Sequence, residues 1–163
     1  MKCQYTFDMH LVFAMMNGRV SAVLNRSLYR NFRANSIDIS PEQWTVLLYL
    51  WEKDGVTQQE LCNATYKDKP SMTRLINNME HRNLVRRDSN NKDRRVNLIH
   101  LTELGKGLEV RMRIITSRTL KEALKNISTE DLNICQMVLR KVFDNCMEEN
   151  KNTANSFSDN NKK

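Results

Sequence analysis

The side chains best suited to chemistry with a partner lie between residues 70 and 82, where the spacing predicts a short helix. At about 100° per residue, its apolar residues share one side. The opposite side and its flanks carry Ser71, Thr73, Arg74, Asn77, Asn78 and His81. In a DNA major groove, Arg can pair bidentately with guanine and Asn with adenine. Ser71 and Thr73, near the start of the helix, could hold phosphate oxygens.

A second polar cluster lies in the linker between two β-prone runs, residues 84–87 and 96–101. It contains Lys92, Asp93, Arg94 and Arg95. Two such runs around a turn-rich linker predict a β-hairpin. An Arg on a thin hairpin can reach a DNA minor groove, where the potential is strongly negative. Asp93 can orient a neighbouring Arg through a charge-assisted pair.

The elements before these residues have recognisable helix starts. Ser40-Pro41-Glu42-Gln43 combines an N-cap, a proline at the first helical position and a capping-box Gln. Thr57-Gln58-Gln59-Glu60 is a second capping box, which opens a short helix. Together with the helix at 70–82 and the hairpin, they give the order helix, turn, helix, wing. This order predicts a winged helix-turn-helix in a mainly α-helical chain.

Longer amphipathic helices are predicted on both sides of this module. Apolar residues at three- and four-residue steps predict a helix from about Phe7 to Arg33, with a methionine-rich stripe suited to core or dimer packing. We also expect one long helix over residues 102–125 and another after Ser128. The polar residues 151–163 read as a disordered tail.

The composition excludes several classes of protein. No apolar run approaches the ~18 residues of a transmembrane helix, and residues 1–10 do not resemble a secretory signal. No catalytic motif, phosphate-binding glycine loop or metal-ligand spacing is present, so we expect no enzyme activity, cofactor or metal. The four cysteines read as free thiols of a cytosolic protein. Apolar surroundings are the simplest expectation for Cys62, Cys135 and Cys146.

The net charge of +7, from 26 Lys and Arg against 19 Asp and Glu, favours a polyanionic partner. Its distribution is uneven. Residues 58–95 carry nine Lys and Arg against five acids, and residues 17–37 carry four Arg and no acid. Residues 96–150 carry eight of each sign. The excess therefore coincides with the predicted helix-turn-helix and wing, and with the later part of the first helix.

The stretch TQQELCNATYKDKPSMTRLINNMEHRNLVRRDSNNKDRRVNLIHLTELGKGL, residues 57–108, resembles the MarR (multiple antibiotic resistance regulator) family of bacterial transcriptional regulators. The preceding ISPEQWTVLLYLWEKDGVT also looks like that family's second helix and first short strand. The TRLI core and the DRR wing at this spacing are a specific signal. Asn83 departs from the glycine usual in the family, but Asn tolerates the left-handed conformation.

The resemblance implies a homodimer on a pseudo-palindromic operator, acting as a cytoplasmic, nucleoid-associated regulator. A repressor is typical of the family, and the residues leave open whether the chain represses or activates. One MarR-like domain would span residues 1–150, with dimerisation helices at 8–33 and 102–150 and the winged module at 40–101. Ser71, Thr73 and Arg74 match the family's recognition-helix contacts. Arg94 matches the wing arginine, with Asp93 and Arg95 as supports.

The family also suggests a small aromatic or anionic effector that releases the DNA. Trp44 and Trp51, with Arg19 or Arg26, are candidates for lining its crevice. Two alternatives remain open from the residues. The chain could be a winged-helix protein–protein adaptor whose basic face meets an acidic partner, or a thiol-redox-sensing regulator.

Overall fold

The computed structural model describes residues 9–89 and 97–160. Within the described ranges, seven helices accompany a small antiparallel sheet. In chain order the elements are α1 (Met9–Ala34), α2 (Pro41–Glu52), β1 (Val56–Thr57), α3 (Gln58–Thr65), α4 (Lys69–His81), β2 (Val85–Ser89), β3 (Asn97–Leu101), α5 (Glu103–Gly107), α6 (Glu109–Ala123) and α7 (Thr129–Asn160). The fold is the predicted mainly α-helical winged helix-turn-helix. The chain divides into two compact units, Met1–Ala123 and Leu124–Lys163.

The sheet confirms the hairpin and adds a third strand. β2 pairs antiparallel with β3 in a register that runs from Val85 opposite Leu101 to Ser89 opposite Asn97. β1 pairs with the other edge of β3, so the strand order is β1-β3-β2. The base of the wing is therefore fixed on both sides of β3. Pairing along a third strand stabilises what would otherwise be an isolated hairpin.

The core of the first unit lies between the helix-turn-helix, the sheet and one end of α1. α1 contributes the buried side chains Leu28 and Phe32. α4 contributes Met72, Ile76 and Met79, each of which is 0% exposed. Asn83 has the expected left-handed backbone, with φ of 55°, where α4 gives way to β2. The chain can thus turn directly from α4 into β2, the first strand of the wing.

Two sequence-based boundaries are wrong. The single helix expected over 102–125 is divided into α5 and α6 at Leu108, where Gly105 and Gly107 weaken the helical backbone. Residues 151–160, assigned to a disordered tail, continue α7 to Asn160. No glycine or proline interrupts them, so a helix that is already nucleated can propagate.

Both predicted capping boxes are present. Ser40 Oγ accepts from the Gln43 amide and Gln43 Oε1 accepts from the Ser40 amide. At α3, Glu60 accepts from the Thr57 amide at 2.8 Å and from the Lys53 ammonium at 3.0 Å. The Thr57 amide, followed by Lys53, lowers the pKa of Glu60 to about 2. These donors favour the charged carboxylate in the folded state.

We expect Glu60→Gln to flatten the acid dependence of stability. Because the folded pKa lies below the ordinary value of 4.5, the wild-type contribution is complete above that value and is lost as the pH falls toward 2. Gln preserves the capping box but cannot titrate. The contribution should be below about 1 kcal/mol because the side chain is half exposed. Urea unfolding at pH 7 and pH 2.5 measures it, and an equal acid loss in both proteins would contradict it.

Candidate nucleic-acid interface

Helix α4 presents two chemically different sides. Its buried side consists of Met72, Ile76 and Met79, which pack into the core. The predicted polar residues lie on the other side and its flanks, where Thr73, Arg74, Asn77, Asn78 and His81 are exposed and Ser71 is half-buried. The core therefore fixes the rotation of the helix, and the structure brings the helix residues of the predicted site together on one accessible surface.

The start of α4 is closed by its own cap. Asp68 accepts from the Ser71 amide at 2.7 Å, and Ser71 Oγ donates to the other carboxylate oxygen at 2.9 Å. The Ser71 amide, then its hydroxyl, lowers the pKa of Asp68. Arg74 Nη2 donates to Ser71 Oγ at 3.4 Å. Ser71 is thus part of the helix cap and orients Arg74. The Asp68 carboxylate accepts from the Ser71 amide, one of the N-terminal amides that could otherwise bind a phosphate.

Thr73 is held between two helices. Its hydroxyl donates to the Lys69 carbonyl at 2.8 Å and accepts from Gln58 Nε2 at 2.7 Å. Gln58 is the first residue of α3, so its side chain lies beside the exposed side of α4. Sequence reasoning treated Gln58 only as part of a capping box. The approach of the two helix starts, which only the fold reveals, adds it to the interface.

Asn77 connects α4 to the wing. Arg87 on β2 donates from Nη2 to Asn77 Oδ1 at 2.7 Å, and its Nη1 forms an ion pair with Glu80. Arg87 is 22% exposed at its side chain and Asn77 is exposed, so this contact lies at the protein surface. The carbonyl oxygen that Asn77 would need for bidentate pairing with adenine therefore already accepts one hydrogen bond from the protein.

Asn78 connects α4 to α2. Gln43, 4% exposed, donates from Nε2 to Asn78 Oδ1 at 2.7 Å. Arg82 donates from Nη1 to Gln43 Oε1 at 2.9 Å and also lies 3.5 Å from Asp38 Oδ2. Arg33, 2.9 Å from Asp38 Oδ1, is the main cause that lowers the pKa of that carboxyl. Sequence reasoning identified Gln43 as a cap but not as a partner of Asn78.

The contacts of the two asparagines bear on the sequence-based adenine interpretation, which stays a prediction. That interpretation requires each amide to offer both its oxygen and its nitrogen to a base. Each oxygen already accepts one hydrogen bond from within the protein. Lys92, Asp93, Arg94 and Arg95, the predicted wing tip, lie outside the described residues, and only the base of the wing is observed.

A pocket of about 560 Å³ lies between α2 and α6. Its lining includes Trp44, Leu48, Arg113, Thr116 and Lys121. Thr116 Oγ1 is buried and has no hydrogen-bond partner among the described residues. Trp44 was predicted to line such a crevice, whereas Trp51, Arg19 and Arg26 are not part of this lining. Trp51 instead donates to the Gly105 carbonyl at 3.0 Å.

The cysteines differ from the expectation in two of three cases. Cys62 is buried as expected, but Cys135 and Cys146 are exposed on α7, because α7 presents its apolar stripe rather than burying it. Within residues 9–89 and 97–160, no cluster of three or more His, Cys, Asp or Glu side chains is arranged to hold a metal ion. No described helix combines the length and apolar character needed to cross a membrane.

Sequence comparison matches residues 37–96 to the MarR family. The HTH-type transcriptional regulator TtmR of Methylorubrum extorquens (strain PA1) is 33% identical over 84 residues, covering 52% of this chain and 43% of TtmR. The transcriptional regulator HosA of Escherichia coli is 26% identical over 106 residues, covering 65% of this chain and 78% of HosA. This chain therefore spans less than half the length of TtmR.

Solved structures share the fold over a larger part of the chain. The transcriptional regulator PA3341 has a TM-score of 0.72 and 28% identity, covering 83% of this chain and 98% of its own. A MarR family transcriptional regulator from Listeria monocytogenes, solved in complex with 26mer DNA, has a TM-score of 0.74 and 21% identity. That match covers 83% of this chain and 89% of the Listeria chain.

Proposed function

We propose that the chain, whose residues 37–96 match the MarR family, is a sequence-specific, DNA-binding transcriptional regulator of that family that acts as a homodimer. The observation that carries this proposal is α4, whose apolar side is locked into the core while its polar side is exposed. A helix held in this way can enter a major groove with its rotation already set. The DNA in the Listeria structure supports double-stranded DNA as the partner.

Exposed apolar surface on two helices supports the homodimer. On α1, Met9, Met16 and Val20 are 79%, 48% and 49% exposed. On α7, Ile134 and Met137 are 56% and 53% exposed, and further apolar residues follow at helical spacing. Apolar stripes of this length are typical of surfaces covered by a partner. A second copy covers them and presents two α4 helices, which fit successive major grooves about 34 Å apart.

A small-molecule effector is the proposed signal, and the pocket between α2 and α6 is its proposed site. Trp44 offers a flat apolar surface and Lys121 offers positive charge, while Arg113 in the same lining is already paired with Glu52 and Glu109. Thr116 offers a buried hydroxyl that lacks a partner in the described structure. This combination suits a small aromatic anion. An effector that prefers one dimer geometry shifts the population away from the DNA-binding arrangement.

The proposal is tested by titrating the full chain against DNA from upstream of its own gene. A regulator should give a defined footprint, two chains per site in sedimentation, and affinity that falls steeply with salt. The same titration with benzoate, a simple aromatic anion, should release DNA if the effector assignment is right. A monomer at micromolar concentration, or binding without a footprint, contradicts the proposal. The latter result would favour the protein–protein adaptor.

A further inference from the structure

Three side chains form a hydrogen-bonded series that ends on the exposed side of α4. Arg82 Nη1 donates to Gln43 Oε1 at 2.9 Å, and Gln43 Nε2 donates to Asn78 Oδ1 at 2.7 Å. The Ser40 backbone amide also donates to Gln43 Oε1, at 3.0 Å. Gln43 is buried, whereas Asn78 is exposed. The series thus leads from a buried amide to a side chain on the candidate interface.

The chemistry of the first donor fixes the orientation of both amides. A guanidinium only donates hydrogen bonds, and so does a backbone N–H. The oxygen of Gln43 must therefore face Arg82 and Ser40, which turns its nitrogen toward Asn78. Asn78 must then accept with its oxygen, which leaves its Nδ2 amide hydrogens pointing away from Gln43. The O and N positions of the two amides are assigned by this network.

The orientation of the Asn77 amide is fixed in the same way, by a hydrogen bond from a different arginine. Arg87 Nη2 donates to Asn77 Oδ1 at 2.7 Å, so the oxygen of Asn77 is also turned toward the protein. Within the described part of the chain, nothing hydrogen-bonds to the side-chain nitrogen of either asparagine. Both therefore offer N–H donors, alongside the guanidinium of Arg74. The central part of the exposed α4 surface is composed of donors.

We propose that Gln43 is a positioning residue that sets base specificity without touching DNA, by holding Asn78 as a donor. This inference rests on the proposed DNA-binding function and deepens it. In the major groove a donor pairs with guanine O6 or N7, with thymine O4, or through a single bond with adenine N7. The two-bond pair with adenine also needs the Asn78 oxygen to accept from the N6 amino group, and the bond from Gln43 turns that oxygen toward the protein. The operator half-site should therefore favour guanine or thymine over adenine at Asn78.

The decisive variant is Gln43→Glu. The new carboxylate can still accept from Arg82 and from the Ser40 amide, and Glu is a preferred residue at this capping-box position. It cannot donate, so Asn78 must turn over and donate from its own Nδ2 to that carboxylate. The oxygen of Asn78 then faces the DNA. At one base pair of each half-site, the preference should change from guanine or thymine to adenine or cytosine, by about tenfold.

Selection of full-length protein on a randomised DNA pool measures this change at every operator position. Gln43→Leu is the matched control, since it removes the constraint on Asn78 and should weaken the preference at that position without inverting it. Asn78→Ala should abolish the preference in the wild-type and Gln43→Glu backgrounds alike. A purely structural role for Gln43 would lower affinity for all sequences equally.

An unchanged preference in folded Gln43→Glu overturns the inference. If that variant does not fold, Asn78→Asp decides, because it keeps an acceptor for Gln43 and places an acceptor-only carboxylate oxygen on the exposed side. A retained preference for guanine or thymine there also overturns it. If the wild type selects no sequence at all, the proposed function fails instead, so the two failures are distinguishable.

Discussion

Arg74→Ala should weaken operator binding by about 5- to 150-fold, equivalent to about 1–3 kcal/mol, and should relax the preference at one position of each half-site. Arg74 is exposed near the middle of α4, and its guanidinium is steadied by Ser71 Oγ at 3.4 Å. The described residues give it no salt bridge, so no ion pair among them competes with DNA for this side chain. A bidentate contact with guanine accounts for a loss of this size.

Gel-shift titrations against the operator and against unrelated DNA separate this specific contact from a charge effect. Arg74→Lys keeps the charge but not the two-pronged geometry, so it should lose most of the specific affinity and little of the non-specific affinity. Arg118→Ala is the matched control, because Arg118 is also exposed and lies on α6. Equal losses in Arg74→Ala and Arg118→Ala would contradict the proposal that α4 is the helix that contacts the bases.

The second large effect should be a loss of stability caused by Gly105→Ala. A Cβ at this buried position would lie 2.2 Å from the Leu84 carbonyl oxygen and 3.1 Å from Leu101 Cδ2. Because the nearest atom belongs to the backbone, the added methyl cannot be accommodated by a side-chain rotation. We expect a loss of about 3 kcal/mol in the free energy of unfolding.

Gly107 supplies the internal control for this prediction. It lies in the same short helix, and a Cβ there would meet nothing within 4 Å. Gly107→Ala should therefore stabilise the protein by about 0.5–1 kcal/mol through the better helix propensity of alanine. Urea unfolding of both variants measures the contrast. Similar changes for the two substitutions would contradict close packing of α5 on the start of β2.

Much of the fold could be predicted from local signals. Both capping boxes, the left-handed Asn83 and the hairpin depend on neighbouring residues, so the sequence is sufficient for them. The division at Leu108 was missed because periodicity continues across it. The approach of Gly105 to Leu84, a contact between distant parts of the chain, is the feature that periodicity cannot reveal.

The candidate site also depends on contacts between distant parts of the chain, which the sequence pattern does not reveal. The 100° rotation per residue was enough to place Arg74, Asn77 and Asn78 on one exposed side. It could not identify Gln43, Gln58 and Arg87, which approach α4 from α2, α3 and β2. Those three residues decide which atoms of the polar side chains remain available. Residue type predicted the location of the site, while tertiary contacts determine its hydrogen-bonding character.

The partners of Thr73, Asn77 and Asn78 have a thermodynamic consequence. Each of these side chains is already restrained by a hydrogen bond of 2.7 Å from another element. Ordering a polar side chain at an interface ordinarily costs about 0.5–1.5 kcal/mol. Here that entropy is lost when the protein folds, so association with a ligand requires little further ordering. The exposed side of α4 is therefore a surface preorganised by residues of α2, α3 and β2.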